Sequence, residues 1–188
     1  MNKVHLISNN INNKIFHKVN HVKLCRSINE LTGGDLIISY SNGKMIPLDI
    51  LLKYKIAINF HCGPLEYPGP DPHHWASYDK SKYYGGVCHF MNSKPDNGSV
   101  IKSFKTQIPN SLKPLEIDEI GEESISFLFL SMIDEINSLN ILPNNEHWVG
   151  KYKSRNDLIK MCNFAGLTKK EIEHRIFAFS GFEKYFKY

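Results

Sequence analysis

Two short apolar runs constrain the fold more than any other feature of this chain. Asp35–Tyr40 (DLIISY) is bounded by Gly33-Gly34 and by a Ser-Asn-Gly turn, and Ile56–Phe60 (IAINF) follows it. Runs this compact are too short for buried helices and read as strands covered on both faces. Between them, Ile46–Tyr54 reads as a short helix opened by Pro47. Upstream, Lys3–Ser8 and Val22–Leu24 read as strands separated by turn chemistry at Asn9–Asn13, and Ser27–Leu31 as one or two helical turns. Downstream, Trp75–Tyr83 reads as a short helix, and Gly86–Met91 and Ser99–Gln107 as strands. Strands alternating with helices up to about residue 110 imply an α/β chain with a mainly parallel, Rossmann-like sheet.

Beyond that point the pattern is helical. In Ile120–Leu139, the residues Ile125, Leu128, Phe129, Met132, Ile133 and Ile136 recur at helical spacing on one face. Ser154 opens a further helix carrying Leu158, Ile159 and Met161. Thr168 and Glu171 form a capping-box pattern before Ile172 and Ile176. The expected organisation is a core over 1–110 and a mainly helical region over 111–188, packed on that core or at a dimer interface. The aromatic tail, GFEKYFKY, points the same way, toward a homodimer.

The formal net charge is only +4, and no Lys/Arg block stands out, which argues against a nucleic-acid partner. No apolar stretch approaches the ~20 residues that span a membrane. Cys25, Cys62, Cys88 and Cys162 form no CxxC pair and read as reduced thiols, and MNKVHLIS is not a signal peptide; both point to a cytoplasmic protein.

Asn59 and His61 stand two apart at the end of the second apolar run, so they share one face of a strand. Ligands of open α/β sheets bind beyond the carboxyl ends of strands. An amide there can stabilise a developing oxyanion, and an imidazole can act as a base or polarise a carbonyl. His61–His74 (HCGPLEYPGPDPHH) then packs four prolines and two glycines into fourteen residues, an irregular loop of the functional kind. Asp96 lies in a second loop, Asn92–Asn97; near His61 it would tune the imidazole and relay protons. Each residue alone also has a plain structural reading: a loop cap, a packed histidine, a turn residue before Asn-Gly. Two other arrangements compete: Cys62 as a nucleophile with His73 or His74 as its base, and a metal held by His61, His73, His74 and His89. Neither has a supporting signature, so no metal is expected.

Taken in order, three segments resemble the folate-dependent formyltransferases. DLIISYSNGKMIP resembles the strand and loop lining the folate site. INFHCGPLEYPG resembles the family's Asn-x-His strand end and Pro-rich loop. GGVCHFMNSKPDNGSVI resembles the strand, loop and Asp-x-Gly segment with the acidic residue. The resemblance spans roughly residues 35–108. It implies Asn59, His61 and Asp96 as the catalytic trio. It also implies pterin contacts from Gly43, Met45, Ile46, Met91, Asn92 and Pro95, largely through backbone groups, with N10-formyltetrahydrofolate as formyl donor.

Two departures narrow this. The part before Asp35 is short for the family and lacks its phosphate-binding loop, and the extra C-terminal domain of the tRNA enzyme has no counterpart. The later stretch WVGKYKSRNDLIKMC looks like the segment following the core in sugar N-formyltransferases. The implied reaction is formyl transfer to the primary amine of a small acceptor, a nucleotide-linked amino sugar. Formyl-folate hydrolysis and a non-catalytic folate- or sugar-binding module are the alternatives on the same scaffold.

Overall fold

The two apolar runs pair with each other. In the computed structural model, which describes residues 2–188, Leu36 lies beside Ile56, Ile38 beside Ile58 and Tyr40 beside Phe60. They belong to β3 (Gly34–Tyr40) and β4 (Tyr54–His61). With β1 (Val4–Ser8), β2 (Val22–Cys25), β5 (Tyr83–Phe90) and β6 (Val100–Gln107) they form one sheet in the order β2-β1-β3-β4-β5-β6. β1 to β4 are parallel, whereas β5 and β6 turn back antiparallel. The α/β reading with a mainly parallel sheet therefore holds. The change of direction follows from the β4–β5 connection, which returns at the carboxyl edge of β4 and makes no crossover.

Alternation along the strands sorts the side chains between two faces. On one face Leu6, Leu36, Ile38, Tyr40, Ile58, Phe60 and Cys88 pack against α3 (Pro114–Leu130) and α4 (Ile133–Ser138). Phe16, Tyr40, Phe60 and Phe129 make the centre of this layer, with ring centroids 5.0 to 5.7 Å apart and mostly edge-on. On the other face Ile7, Cys25 and Ile37 pack with Leu31, Ile46, Leu51 and Tyr54. Asn59 and His61 alternate with Ile58 and Phe60, so they project to this second face. A separate aromatic core, with Trp75, Tyr84, Ile117, Leu158 and Phe179, joins α2 (Pro72–Tyr78), α3, α5 (Arg155–Met161) and α6 (Lys169–Ala178).

Several boundaries differ from the sequence expectation. The helix expected over Ile46–Tyr54 is only α1 (Leu48–Leu51), because Ile46 is drawn into the core beforehand and Tyr54 pairs with Gly34 as the start of β4. The helix expected over Trp75–Tyr83 starts three residues earlier. Pro72 occupies its first turn, where a missing N–H costs nothing. The helix expected over Ile120–Leu139 starts at Pro114, and the Glu116 carboxylate accepts the Lys113 N–H at 2.7 Å. It breaks after Leu130, where the Ser131 hydroxyl donates to the Leu128 carbonyl at 2.9 Å and competes with the helical ladder. The apolar face crosses the break: Ile125, Leu128, Phe129, Met132 and Ile136 are all buried. At α6 only half of the expected capping box forms. Thr168 Oγ1 accepts the Glu171 N–H at 3.3 Å, while the Glu171 carboxylate takes the Tyr78 hydroxyl and Arg175 Nε instead. Among the described residues no helix is long and apolar enough to cross a membrane.

Phe129 touches three other rings and is fully buried. Phe129→Ala should cost about 3–5 kcal/mol, which lowers Tm by roughly 10 °C for a chain of this size. Thermal melts by circular dichroism check this, and a drop of only a degree or two contradicts the packing described.

Candidate active site

β4 delivers two polar side chains to one face at its carboxyl end, where the sheet also places Ser8 and Tyr40 at the ends of β1 and β3. β5 runs antiparallel beside it with His89 directly opposite Asn59. Residues opposite each other on neighbouring strands point to the same side. His89 thus enters the group without any loop to carry it, and its ring is almost fully buried. The chain then leaves β5 through a turn in which Asp96 adopts a left-handed backbone (φ 43°). That turn swings the carboxylate back over both imidazoles.

Asp96 Oδ2 lies 3.6 Å from His61 Nδ1, and Asp96 Oδ1 lies 3.3 Å from His89 Nε2. Oδ2 also accepts the Gly69 N–H at 2.9 Å. Burial disfavours the charged carboxylate, but the two imidazoles in their protonated form and the Gly69 N–H outweigh it and hold Asp96 well below the usual carboxylate range. Asn59 Nδ2 stands 3.1 Å from His89 Nε2. The three residues expected from the sequence therefore meet in one place, and His89 ties two of them together.

The ring protons follow from the partners. His61 Nε2 faces the Tyr67 carbonyl at 3.1 Å, and a carbonyl only accepts, so Nε2 carries the hydrogen. His61 Nδ1 faces Asp96 just beyond direct hydrogen-bond range. A proton arriving at Nδ1 is met by a carboxylate. His89 Nδ1 likewise faces the Phe90 carbonyl at 2.8 Å and carries a hydrogen. Its Nε2 then accepts from Asn59 when the ring is neutral and donates to Asp96 when a second proton binds. The second N–H of the Asn59 amide is not used by His89 and is free for a ligand.

The Pro-rich loop supplies the other wall. Tyr67 gives its carbonyl to His61 and Gly69 its N–H to Asp96, and the loop residues from Gly63 to Gly69 are buried except for Glu66. Gly69 has φ 112°, and a Cβ there would lie 2.3 Å from the Lys153 carbonyl oxygen. Trp148 lies against the cluster, its indole edge-on to His61 and His89 with centroids 5.8 and 5.2 Å away.

The residues expected to meet a pterin fall on two loops beside this cluster. Ile46 is buried in the same apolar group against which Met91 packs, and the Met91 N–H donates to the Ala57 carbonyl at 2.8 Å. Gly43 has φ 62° and is exposed, Met45 is 63% exposed, and Asn92 and Pro95 are exposed on the second loop. Apolar walls from Ile46 and Met91 with open backbone around Gly43 suit a flat ring that hydrogen-bonds along its edges.

On the opposite side of the β4 end lies a cavity of about 580 Å³, lined by Ser8, Asn9, Asn10, Asn13, Tyr40, Ser41, Glu122, Glu123 and Ser126. Cys62, next to His61, backs it: its thiol lies 3.1 Å from Glu122 Oε1, which also takes the Ser41 hydroxyl. Burial and then the Glu122 charge push the Cys62 thiol well up. His73 pairs with Asp118 at 3.0 Å, and His74 Nδ1 donates to the Ala178 carbonyl at 2.8 Å. Cys62 therefore has no histidine base, and a four-histidine metal set does not assemble. A second cavity of about 350 Å³ shares Ser8 and Asn9 and reaches Arg26.

Three parts of the site lie beyond what the sequence predicts. His89 enters the sequence pattern only as a member of the four-histidine metal set. Its sequence signal is only half present: GVCHFM reads as a strand, but His89 comes opposite Asn59 only through the antiparallel register with INFH. The backbone partners at Tyr67 and Gly69 have no sequence signal beyond the proline loop, and Trp148 lies in a stretch without periodicity.

No family model and no curated protein sequence matches the chain. Solved structures do. A 4-N formyltransferase from Francisella tularensis shares the fold with a TM-score of 0.75 at 19% identity, covering 94% of this chain and 87% of its own. An N-formyltransferase from Helicobacter canadensis, solved with folinic acid and dTDP-3-aminofucose, gives 0.72 at 18% identity over 95% of this chain and 81% of its own. The formyltransferase from Anoxybacillus kamchatkensis, in complex with UDP-4,6-dideoxy-4-formamido-L-AltNAc and tetrahydrofolate, gives 0.70 at 24% identity over 84% and 88%. At these identities the likeness establishes a shared fold, that of the formyltransferases.

Asp96→Asn keeps an acceptor for the Gly69 N–H and removes the charge. Because the folded-state carboxyl ionises below its unfolded value, its stabilising share is complete above about pH 4 and is lost as pH falls further. The wild type should exceed the variant by about 1–3 kcal/mol near pH 5, below the ordinary range of imidazole titration, and the gap should narrow as the carboxyl protonates. Denaturant melts at about pH 5 and about pH 3 test this; a gap that widens over that window contradicts it.

Proposed function

We propose that this protein transfers a formyl group from N10-formyltetrahydrofolate to a primary amine, and that the acceptor is a nucleotide-linked amino sugar. The observation that carries this reading is the convergence of Asn59, His61 and Asp96, from a strand end and a distant turn, at the carboxyl edge of a sheet with the formyltransferase fold. The donor supplies a formyl carbon activated toward attack, and the Gly43–Ile46 and Met91–Pro95 loops are the segments proposed to hold its pterin.

In this reading Asn59 and His61 are the catalytic donors. The neutral amine adds to the formyl carbon, and the carbonyl oxygen takes the negative charge. The free Asn59 N–H and the proton on His61 Nε2, shared until then with Tyr67, stabilise that oxygen. The amine must lose a proton and the leaving nitrogen must gain one. His61 Nδ1 and Asp96 face each other across a gap suited to that relay, by way of water. His89 holds Asn59 and Asp96 in register. The C–N bond to the folate then breaks as the new amide forms, with no covalent enzyme intermediate.

For the acceptor, the larger cavity presents hydroxyls, amides and two carboxylates, and the smaller one beside it presents Arg26. The first suits a hydroxylated or amino sugar and the second a phosphate. The ligands held by the Helicobacter canadensis and Anoxybacillus kamchatkensis proteins have those parts. The division into a catalytic core over 1–110 and a helical region over 111–188, the cytoplasmic location and a homodimer belong to the same proposal; the dimer draws support from Leu115, Phe127 and Leu130, exposed on α3.

A screen of amine acceptors with N10-formyltetrahydrofolate, read by the mass gain of the product, tests the reading. A formylated amino sugar is expected. Asn59→Ala and His61→Ala should each lower turnover by about a hundredfold or more without unfolding the protein. Formate released at the same rate without any amine would make the protein a hydrolase. Folate binding by calorimetry with neither product would make it a binding module.

A further inference from the structure

Residues 140–154 run without regular structure between α4 and α5. Stretches of this length inside a compact domain are uncommon and tend to be functional. This one is a strap drawn tightly across the site. The Asn144 N–H donates to the Val100 carbonyl at 2.8 Å, Val149 and Gly150 both donate to the Leu65 carbonyl at 3.0 and 3.1 Å, and Lys153 donates to Pro68 at 3.2 Å. From Leu142 to Tyr152, Trp148 bears the one side chain that is not exposed.

That side chain meets three separate parts of the cluster. Its ring lies against His61 and against His89. Its Nε1–H donates to the Gly98 carbonyl at 2.9 Å, two residues beyond Asp96 in the turn that aims the carboxylate. Gly98 is pinned in turn: a Cβ there would lie 1.7 Å from the Phe90 carbonyl oxygen. The indole also packs on Leu65, Val87 and Val100. One rigid side chain thus spans β5, the Asp96 turn and the Pro-rich loop.

We propose that Trp148 is a positioning residue of this site: its indole fixes His61, His89 and the Asp96 turn relative to one another and keeps water from that side of the imidazoles. It contacts the groups that act and not the reacting atoms. Misplacing a catalytic group by about an ångström costs on the order of a hundredfold in rate, so a side chain controlling three such groups governs turnover more than substrate affinity. The activity part of this inference rests on the formyl-transfer reading; the ring placement does not.

The experiment has two arms, on the whole protein. Imidazole nitrogen NMR reads the rings directly. In the wild type each of His61 and His89 has one nitrogen committed to a carbonyl, so each should show a single tautomer; Trp148→Ala should give mixed or exchange-broadened signals, and Trp148→Phe should retain most of the order. Kinetics with N10-formyltetrahydrofolate and an accepted amine should show kcat falling about a hundredfold in Trp148→Ala and less than about tenfold in Trp148→Phe, with KM nearly unchanged. Lys151→Ala, on the exposed side of the strap, should match the wild type in both arms. Single, wild-type-like tautomers in a folded Trp148→Ala overturn the proposal. So does a loss expressed in KM alone. If Trp148→Ala does not fold, Trp148→Phe decides: with the Nε1–H bond to the Gly98 carbonyl lost, the Gly98 and Asp96 backbone signals should shift and broaden while the His61 and His89 tautomers stay largely single, and unchanged backbone signals in that turn overturn the role. If the wild type transfers no formyl group, the functional reading fails while the NMR arm still judges the ring placement.

Discussion

A nearly buried carboxylate organises the carboxyl end of this sheet. Asp96 carries charge in a place where burial opposes it, and it stays ionised because three groups from three segments surround it: the Gly69 N–H, His61 and His89. An ionised group in such a place is costly unless every partner is present. The Pro-rich loop, the end of β4, the end of β5 and the Asp96 turn are therefore mutually dependent. Losing one partner leaves the others facing an unpaired charge. The stiffness of the proline loop and the aromatic layer beneath β3 and β4 are what keep the segments in place to meet that requirement.

The sheet divides the labour between its faces. One face is packed by α3 and α4 and contributes stability through Phe16, Tyr40, Phe60 and Phe129. The other carries the polar cluster, with Ile46 and Met91 beside it. Both faces end at the same carboxyl edge. His61 on one side and Cys62 on the other mark the two walls there, one toward the imidazole cluster and one toward the cavity with Ser41 and Glu122. A donor and an acceptor approaching from these two sides would meet at the end of β4, which is the geometric content of the proposed reaction.

Much of this was legible in the amino-acid order, for identifiable reasons. DLIISY and IAINF are apolar on both sides and short, so they admit few alternatives to neighbouring buried strands. Strand alternation alone puts Asn59 and His61 together. Asp96 was different: next to Asn-Gly it reads as a turn residue, and it is one, with a left-handed backbone; only the family resemblance singled out its carboxylate. The break between α3 and α4 was hidden because the apolar face runs through it, and Ser131 gives no compositional warning. His89 needed the antiparallel register of β5, a tertiary fact. Trp148 was out of reach, since the strap that bears it is held by backbone bonds to distant loops.

The most direct test of the central claim is a crystal structure with folinic acid and an amino-sugar nucleotide bound. The formyl group should lie within about 3 Å of Asn59 Nδ2 and the His61 ring, the pterin between the Gly43–Ile46 and Met91–Pro95 loops, and the acceptor amine should approach from the side of the Ser41–Glu122 cavity. A pterin bound away from Asn59 and His61, or an acceptor whose amine cannot reach them, would contradict it.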